Sequence, residues 1–291
     1  MQQNGQKTVL DVLKGSTDFL AGREIEQPRL AAELLLSRLL NCKRLNLYVR
    51  HEELLSERIL EAMRRGVKRV AANEPIQYVL GQTEFMGRVF RTDRRALIPR
   101  PETETLVETV LSHEPLWKNG GKPAILDVGT GTGCIAVTIA AARPEAVCVG
   151  FDVSAEAIEL AKENATANGV ATRTAMVCGP DLSAHFEPEM FDAVVANLPY
   201  IPTKDCETLA PNVRDHEPRL ALDGGPDGLS LIAACIEDAA MLLKPAGTCF
   251  LETGADQTGA VSLLFTQNGF ENVVVKKDLA GRDRIVFAAR P

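Results

Sequence analysis

Apolar residues recur at helical spacing in three segments of the first 75 residues. Val9, Leu10, Val12, Leu13, Phe19 and Leu20 mark the first. Leu30, Leu34, Leu35 and Leu39 form a stripe in the second, which opens at Pro28 and runs to about residue 40. Proline suits a first helical turn because its missing N–H would have no partner there anyway. Ile59, Leu60, Met63, Val67 and Val70 mark the third, over about 56–72, with Arg58, Arg64, Arg65, Lys68 and Arg69 on its other face. The pattern predicts a small helical bundle over residues 1–76, which by itself names no chemistry.

The rhythm changes over residues 77–96. Residues 77–80 and 83–90 read as short strands around Gly81 and Gly87 and predict a β-hairpin linker. From Ala124 onward strands and helices alternate. Strands are expected at 124–128, 146–151, 175–178, 191–196 and 248–252, and helices at 134–142, 155–167 and about 229–243, with a last helix and two strands to the end. Such alternation predicts an α/β fold over residues 97–291, a doubly wound, mostly parallel sheet with ligands at the carboxyl ends of its strands.

The turn after the first of these strands reads Asp127-Val128-Gly129-Thr130-Gly131-Thr132-Gly133. Glycines permit a tight turn and close approach of backbone to a ligand. The spacing is G-x-G-x-G; the last glycine of the dinucleotide fingerprint is replaced by Cys134, and the G-K-[ST] ending of a P-loop is missing. Both points lead away from NAD and ATP. Asp152, nineteen residues beyond Gly133 at the end of the second strand, is placed to accept ribose hydroxyl hydrogens. A nucleoside site without phosphate-binding features fits S-adenosylmethionine, whose sulfonium also favours an acidic wall that Asp127 helps to supply. The bland alternative is a structural glycine turn with an exposed aspartate.

The fourth strand runs into Asn197-Leu198-Pro199-Tyr200. The run resembles the [Asn/Asp/Ser]-Pro-Pro-[Tyr/Phe] motif of methyltransferases that act on planar nitrogens, with Leu198 in place of the first proline. An amide nitrogen shares its lone pair with the carbonyl, so it is planar and weakly nucleophilic. Two acceptors, one for each N–H, would aim it at the methyl donor: the Asn197 side-chain oxygen and the Leu198 backbone carbonyl. Pro199 biases Leu198 toward an extended conformation, which helps to fix that carbonyl, and Tyr200 would lay its ring on the planar group. The alternative is an Asn-Pro turn closing a strand over a core tyrosine.

Composition narrows the classes. Of 291 residues, 45% are hydrophobic and 24% charged, as in a soluble globular protein, and no apolar run is long enough to span a membrane. The polar start, residues 1–7, leads into no apolar signal core, so a cytoplasmic location is expected. Seven cysteines without C-x-x-C spacing and four scattered histidines argue against a disulfide framework and against a metal site. Net charge is −7, unevenly spread: residues 1–76 hold 13 Lys and Arg against 10 Asp and Glu, the remainder 19 against 29. An acidic main domain disfavours direct nucleic-acid binding and suits a basic protein partner better.

Two further segments, residues 96–104 (Ala-Leu-Ile-Pro-Arg-Pro-Glu-Thr-Glu) and 213–229 (Val-Arg-Asp-His-Glu-Pro-Arg-Leu through Asp-Gly-Gly-Pro-Asp-Gly-Leu), join Glu74-Pro75-Ile76-Gln77-Tyr78. Together with the two motifs they closely resemble the protein-(glutamine-N5) methyltransferases of peptide-chain release factors, the PrmC/HemK family. The resemblance runs from about Leu10 to the C-terminus. It implies a Rossmann-like methyltransferase domain with a seven-stranded sheet, preceded by a helical domain that docks the release factor. It implies that Gly129, Thr130, Gly131, Thr132, Gly133, Asp152, Val153, Asp181, Leu182 and Asn197 bind S-adenosylmethionine, released as S-adenosylhomocysteine. Asn197, Leu198, Pro199 and Tyr200 would carry catalysis and hold the substrate with Arg100, which is otherwise part of a rigid Pro99-Arg100-Pro101 linker. The implied reaction methylates the glutamine of the Gly-Gly-Gln motif in class I release factors, in support of translation termination, by a monomeric enzyme. Pro180 is inserted where Gly-Asp-Leu is usual, and His216 stands where an aromatic often precedes Glu-Pro. The rivals are a nucleic-acid N-methyltransferase acting on adenine or guanine in ribosomal RNA or DNA, and a cofactor-dependent scaffold without catalysis.

Overall fold

The computed structural model describes residues 7–118 and 121–291. The polar start of the chain, residues 1–6, lies outside them. Two compact units are present: the chain through Gly81 together with Pro211–His216, and Gln82–Ala210 with Glu217–Pro291.

The first unit is built on α1 (Val9–Ala21), α2 (Pro28–Leu39), α3 (Asn46–Val49), α4 (Glu57–Ala71) and α5 (Ile76–Leu80). Thr8 caps α1 through a reciprocal pair: its hydroxyl oxygen accepts from the Asp11 N–H, and the Asp11 carboxylate accepts from the Thr8 N–H. Val9, Val12, Leu20, Leu35, Leu36, Met63 and Val67 are among the buried residues of one core, while the basic face of α4 is exposed. Leu10 and Phe19, expected in the α1 stripe, are instead 54% and 42% exposed, because they lie on the far side of that helix. Residues 77–80 are helical rather than extended. Pro75 precedes the turn, and Gly81 ends it in the left-handed region at φ +70°. The ring of His216 lies 3.2 Å from the Ala72 carbonyl, within the same unit.

The second unit opens with a hairpin, β1 (Gln82–Phe85) and β2 (Arg88–Arg91). Its turn residues Met86 and Gly87 both have positive φ, the geometry that matches strand twist in two-residue hairpins. Helices α6 (Pro101–Ser112) and α7 (Glu114–Trp117) follow. Pro101 is therefore the first residue of a helix and not linker. The Trp117 indole N–H donates to the Val110 carbonyl and the Arg143 guanidinium lies over its ring, so this lone tryptophan packs locally.

Then come β3 (Ala124–Val128), α8 (Cys134–Ala142), β4 (Val147–Asp152), α9 (Ala155–Ala167), β5 (Thr174–Cys178) and β6 (Phe191–Asn197). The single-turn helix α10 (Pro211–Arg214) belongs to the first unit. The second continues with α11 (Ser230–Leu242), β7 (Leu243–Glu252), α12 (Thr258–Gln267), β8 (Glu271–Lys277) and β9 (Asp283–Ala289). The seven-stranded sheet has the order β5-β4-β3-β6-β7-β9-β8. The first five of these strands are parallel, and β9 runs antiparallel to both β7 and β8. Strands β3, β6 and β7 are buried almost throughout, as a parallel sheet covered on both faces requires. The order reverses between β3 and β6, which makes the carboxyl ends of those strands the switch point where open α/β sheets bind ligands. No helix among the described residues is long and apolar enough to cross a membrane.

Candidate active site

Three strand ends converge on one cavity of about 410 Å³. β3 delivers the glycine turn, β4 delivers Asp152 and β6 delivers Asn197. Gly129 and Gly131 sit at φ +69° and +54°, conformations that side chains rarely adopt. The turn is anchored from behind: the Gly129 and Thr130 N–H groups donate to the Phe151 carbonyl, and the buried Asn164 side chain donates to the Thr132 carbonyl. A Cβ at Gly129 would stand 3.0 Å from Leu198 Cδ2. Leucine in place of the motif's first proline thus packs onto the glycine turn.

The lining includes Gly129, Thr130, Gly131, Thr132, Asp152, Val153, Asp181, Leu182, Asn197, Leu198, Pro199 and Arg100, twelve of the fourteen residues singled out from the sequence. The other two, Gly133 and Tyr200, adjoin lining residues without themselves being among them. Gly133 starts α8 in the left-handed region, and a Cβ on it would meet Ala161 at 3.1 Å, so it serves helix packing. Tyr200 follows Pro199, and its half-buried ring packs against the hydrophobic core. Leu97, Ile98, Phe151, Leu231 and Ala234 complete the apolar walls; α11 carries no motif, so nothing in the sequence pointed to its share. A more open groove of about 720 Å³, between β2 and α9, is away from these strand ends.

Asp152 is held in place by its own backbone surroundings. Its two carboxylate oxygens accept from the Gly131 and Ser154 N–H groups, each at 2.9 Å, which leaves further lone pairs on both. Asn197 donates its side-chain N–H to Thr103 Oγ1 at 2.9 Å. Arg100 is paired with the buried Glu217 at 2.5 Å, and Arg95 with Asp93 and Glu163. Both lining arginines are therefore neutralised by carboxylates, while Asp152, Asp181 and Asp238 remain in the wall. That balance suits a cationic nucleoside and offers a phosphate little.

Asp127 lies beneath the turn, fully buried. One of its oxygens accepts from Thr130 Oγ1 and from the Ala136 N–H; the other, Oδ1, has no hydrogen-bond partner among the described residues. Burial pushes its carboxyl from 3.8 to about 7. A carboxyl raised on folding contributes stability that is complete below pH 4 and is lost as pH climbs through about 7, up to about 4 kcal/mol. Asp127→Asn is therefore expected to flatten the fall in Tm between pH 5 and 8. Parallel wild-type and variant curves would contradict this.

The backbone of the Asn197 turn rests on the segment after Leu222. The Ile201 N–H donates to the Leu222 carbonyl, the Gly224 N–H to the Ile201 carbonyl at 2.8 Å, and Gln257 Nε2 to the Tyr200 carbonyl at 3.0 Å. A Cβ at Gly224 would lie 2.5 Å from the Pro199 oxygen, and one at Gly228, which has φ +76°, only 2.2 Å from the Tyr200 oxygen. Gly228→Ala is expected to cost about 2–4 kcal/mol and to reduce kcat by displacing the turn. Urea unfolding at unchanged stability would refute the close approach.

Residues 11–81 match the PrmC N-terminal domain family and residues 102–214 the Methyltransferase small domain family. Among solved structures, a methyltransferase from Pyrococcus furiosus superposes with a TM-score of 0.52 over 81% of this chain and 99% of its own, at 15% identity, a likeness of fold. A release factor glutamine methyltransferase of Geobacter sulfurreducens is 40% identical over 282 residues, covering 96% of this chain and 95% of that one. One from Moorella thermoacetica is 41% identical over 97% of this chain and 99% of its own. With identity of that depth along nearly the whole of both chains, this protein belongs to the release factor glutamine methyltransferase family.

Proposed function

We propose that the protein transfers a methyl group from S-adenosylmethionine to the side-chain amide nitrogen, N5, of the glutamine in the Gly-Gly-Gln motif of class I release factors, and so supports translation termination. The observation that carries this reading is the single cavity that joins the glycine turn, Asp152 and Asn197. The relatives' shared name agrees with it. When bound, S-adenosylmethionine supplies an electrophilic methyl on a sulfonium and leaves as S-adenosylhomocysteine. The residues present fit it: a turn with positive-φ glycines, a strand-end carboxylate with spare lone pairs, and arginines already neutralised.

Asp152 would take the ribose hydroxyls, and Gly129, Gly131, Val153, Asp181 and Leu182 would enclose the nucleoside. Asn197 Oδ1 and the Leu198 carbonyl would accept the two N–H bonds of the substrate amide and fix the plane of its nitrogen. Tyr200, whose half-buried ring packs against the core, would lay its free edge beside that amide. No strong base is needed, because the amide proton becomes acidic only once nitrogen has been alkylated. Positioning and a partly dry cavity supply the rate. The protein would act as a cytoplasmic monomer, with the helical unit docking the release factor and no direct nucleic-acid contact.

The test is transfer from labelled S-adenosylmethionine in the presence of a release factor, ribosomal RNA or neither, with the methyl located by mass spectrometry. Label on the motif glutamine is expected. Label on RNA alone would replace this reading with nucleic-acid methylation, which the 19 basic against 29 acidic residues beyond residue 76 disfavour.

A further inference from the structure

We infer that Thr103 and Glu252 are positioning residues that decide which end of the Asn197 side-chain amide faces the cavity. The inference rests on the function proposed above, which needs the Asn197 oxygen, and not its NH2, to meet the substrate.

Asn197 ends β6 and Glu252 ends β7, and the two are register partners on adjacent parallel strands. Thr103 stands opposite them in the first turn of α6. Thr103 and Glu252 are each 2% exposed. Asn197 Nδ2 donates to Thr103 Oγ1 at 2.9 Å. The Glu252 carboxyl lies near enough to the Thr103 hydroxyl for that hydroxyl to hold its proton affinity down. Neither Thr103 nor Glu252 belongs to the cofactor motifs, and a buried glutamate is costly unless it is hydrogen-bonded, paired or protonated.

Their use follows from counting protons. A hydroxyl has one hydrogen to give, and an ionised carboxylate can only accept. An ionised Glu252 draws the Thr103 hydrogen toward itself, and the oxygen of Thr103 accepts from Asn197, as observed. The Asn197 amide must then turn its NH2 toward Thr103 and its Oδ1 toward the cavity. A proton on Glu252 reverses the chain. The glutamic acid can donate to Thr103, Thr103 can donate to Asn197 Oδ1, and the amide can rotate to offer N–H to an incoming N–H. Glu252 Oε2, buried and without a hydrogen-bond partner among the described residues, has room for that proton. Burial, opposed by the Thr103 hydroxyl and by Arg284 and Arg100 and reinforced by Glu102, places the carboxyl at about 7. Tyr200, the other titratable group facing it, is pushed above its ordinary value and stays neutral in this range.

The experiment measures methyl transfer to purified release factor, with both substrates saturating, for wild type, Thr103→Val, Thr103→Ser and Glu252→Gln between pH 5.5 and 9. Cofactor Kd is followed by calorimetry. Thr103→Val keeps the shape and loses the hydroxyl, and its kcat should fall about 100-fold, the scale of losing one aimed hydrogen-bonding group in an active site. Its cofactor Kd should stay within about threefold. Thr103→Ser restores the hydroxyl and should restore kcat to within about threefold, which a mere packing role for the residue would not allow. Wild-type kcat should drop about tenfold per pH unit below about 7. Glu252→Gln, which can accept from Thr103 at every pH, should abolish that acid limb. The Glu252→Gln arm distinguishes this limb from titration of Asp127 under the cofactor turn, which that substitution leaves in place.

Thr103→Val with wild-type kcat, Thr103→Ser as impaired as Thr103→Val, or an unchanged acid limb in Glu252→Gln would each overturn the inference. Failure of the underlying function would be seen differently, as a wild-type protein that transfers nothing to the release factor.

Discussion

Asn197→Ala should lower kcat for release-factor methylation by about a thousandfold or more while cofactor Kd changes less than about fivefold. Asn197 stands at the carboxyl end of β6, beside the turn that grips the nucleoside, and its side chain has no role in anchoring that turn. Alanine removes the side-chain acceptor and lets the substrate amide rotate out of its reactive plane. The Leu198 carbonyl survives, since it is backbone, and one acceptor cannot define a plane. The measurement is steady-state transfer paired with calorimetric titration of S-adenosylhomocysteine. Loss of cofactor binding in a folded variant would move Asn197 from the substrate to the cofactor.

Asp152→Ala should do the reverse. Its carboxylate accepts from the Gly131 and Ser154 N–H groups and would take the ribose hydroxyls as well. Charge-assisted hydrogen bonds of this kind are worth about 1.5–3 kcal/mol each, so cofactor Kd should rise about 100-fold or more. At saturating cofactor kcat should recover to within about tenfold, because the substrate acceptors on β6 are untouched. An unchanged Kd would show that the ribose is held elsewhere.

Much of this arrangement was legible from residue order. The strand Ala124–Val128 is apolar apart from Asp127 and ends at glycine, and the helix Cys134–Ala142 follows the glycine turn, so type and boundary coincide. The glycine turn and the Asn197 turn are local, and each could be read without knowing what lay opposite. What escaped was short or remote. Residues 76–80 mix apolar and polar positions over five residues, too few to tell a helical period from an extended one. Leu10 and Phe19 are apolar yet exposed, a reminder that periodicity marks a stripe without fixing its edges. The packing of the Tyr200 ring against the core is equally hidden from residue order, because its partners are distant in the chain. The close packing of Gly133 against Ala161 of α9 is likewise a contact that the glycine spacing alone does not reveal. Thr103 and Glu252 were invisible for a different reason. Each is one polar residue in an ordinary element, and they meet Asn197 across 94 and 55 positions of chain. The signal that could have found Glu252 is the one that found Asp152: an acid at the carboxyl end of a strand beside the switch point.

The central claim is that the methyl donor and the substrate amide share the cavity between the ends of β3, β4 and β6. A crystal structure of the protein with S-adenosylhomocysteine and a glutamine-containing peptide tests it most directly. The account predicts the ribose on Asp152, the thioether sulfur facing the peptide amide, and that amide bound to Asn197 Oδ1 and the Leu198 carbonyl. A donor lodged away from Asn197, or a pyrophosphate-bearing nucleotide in the glycine turn, would contradict it.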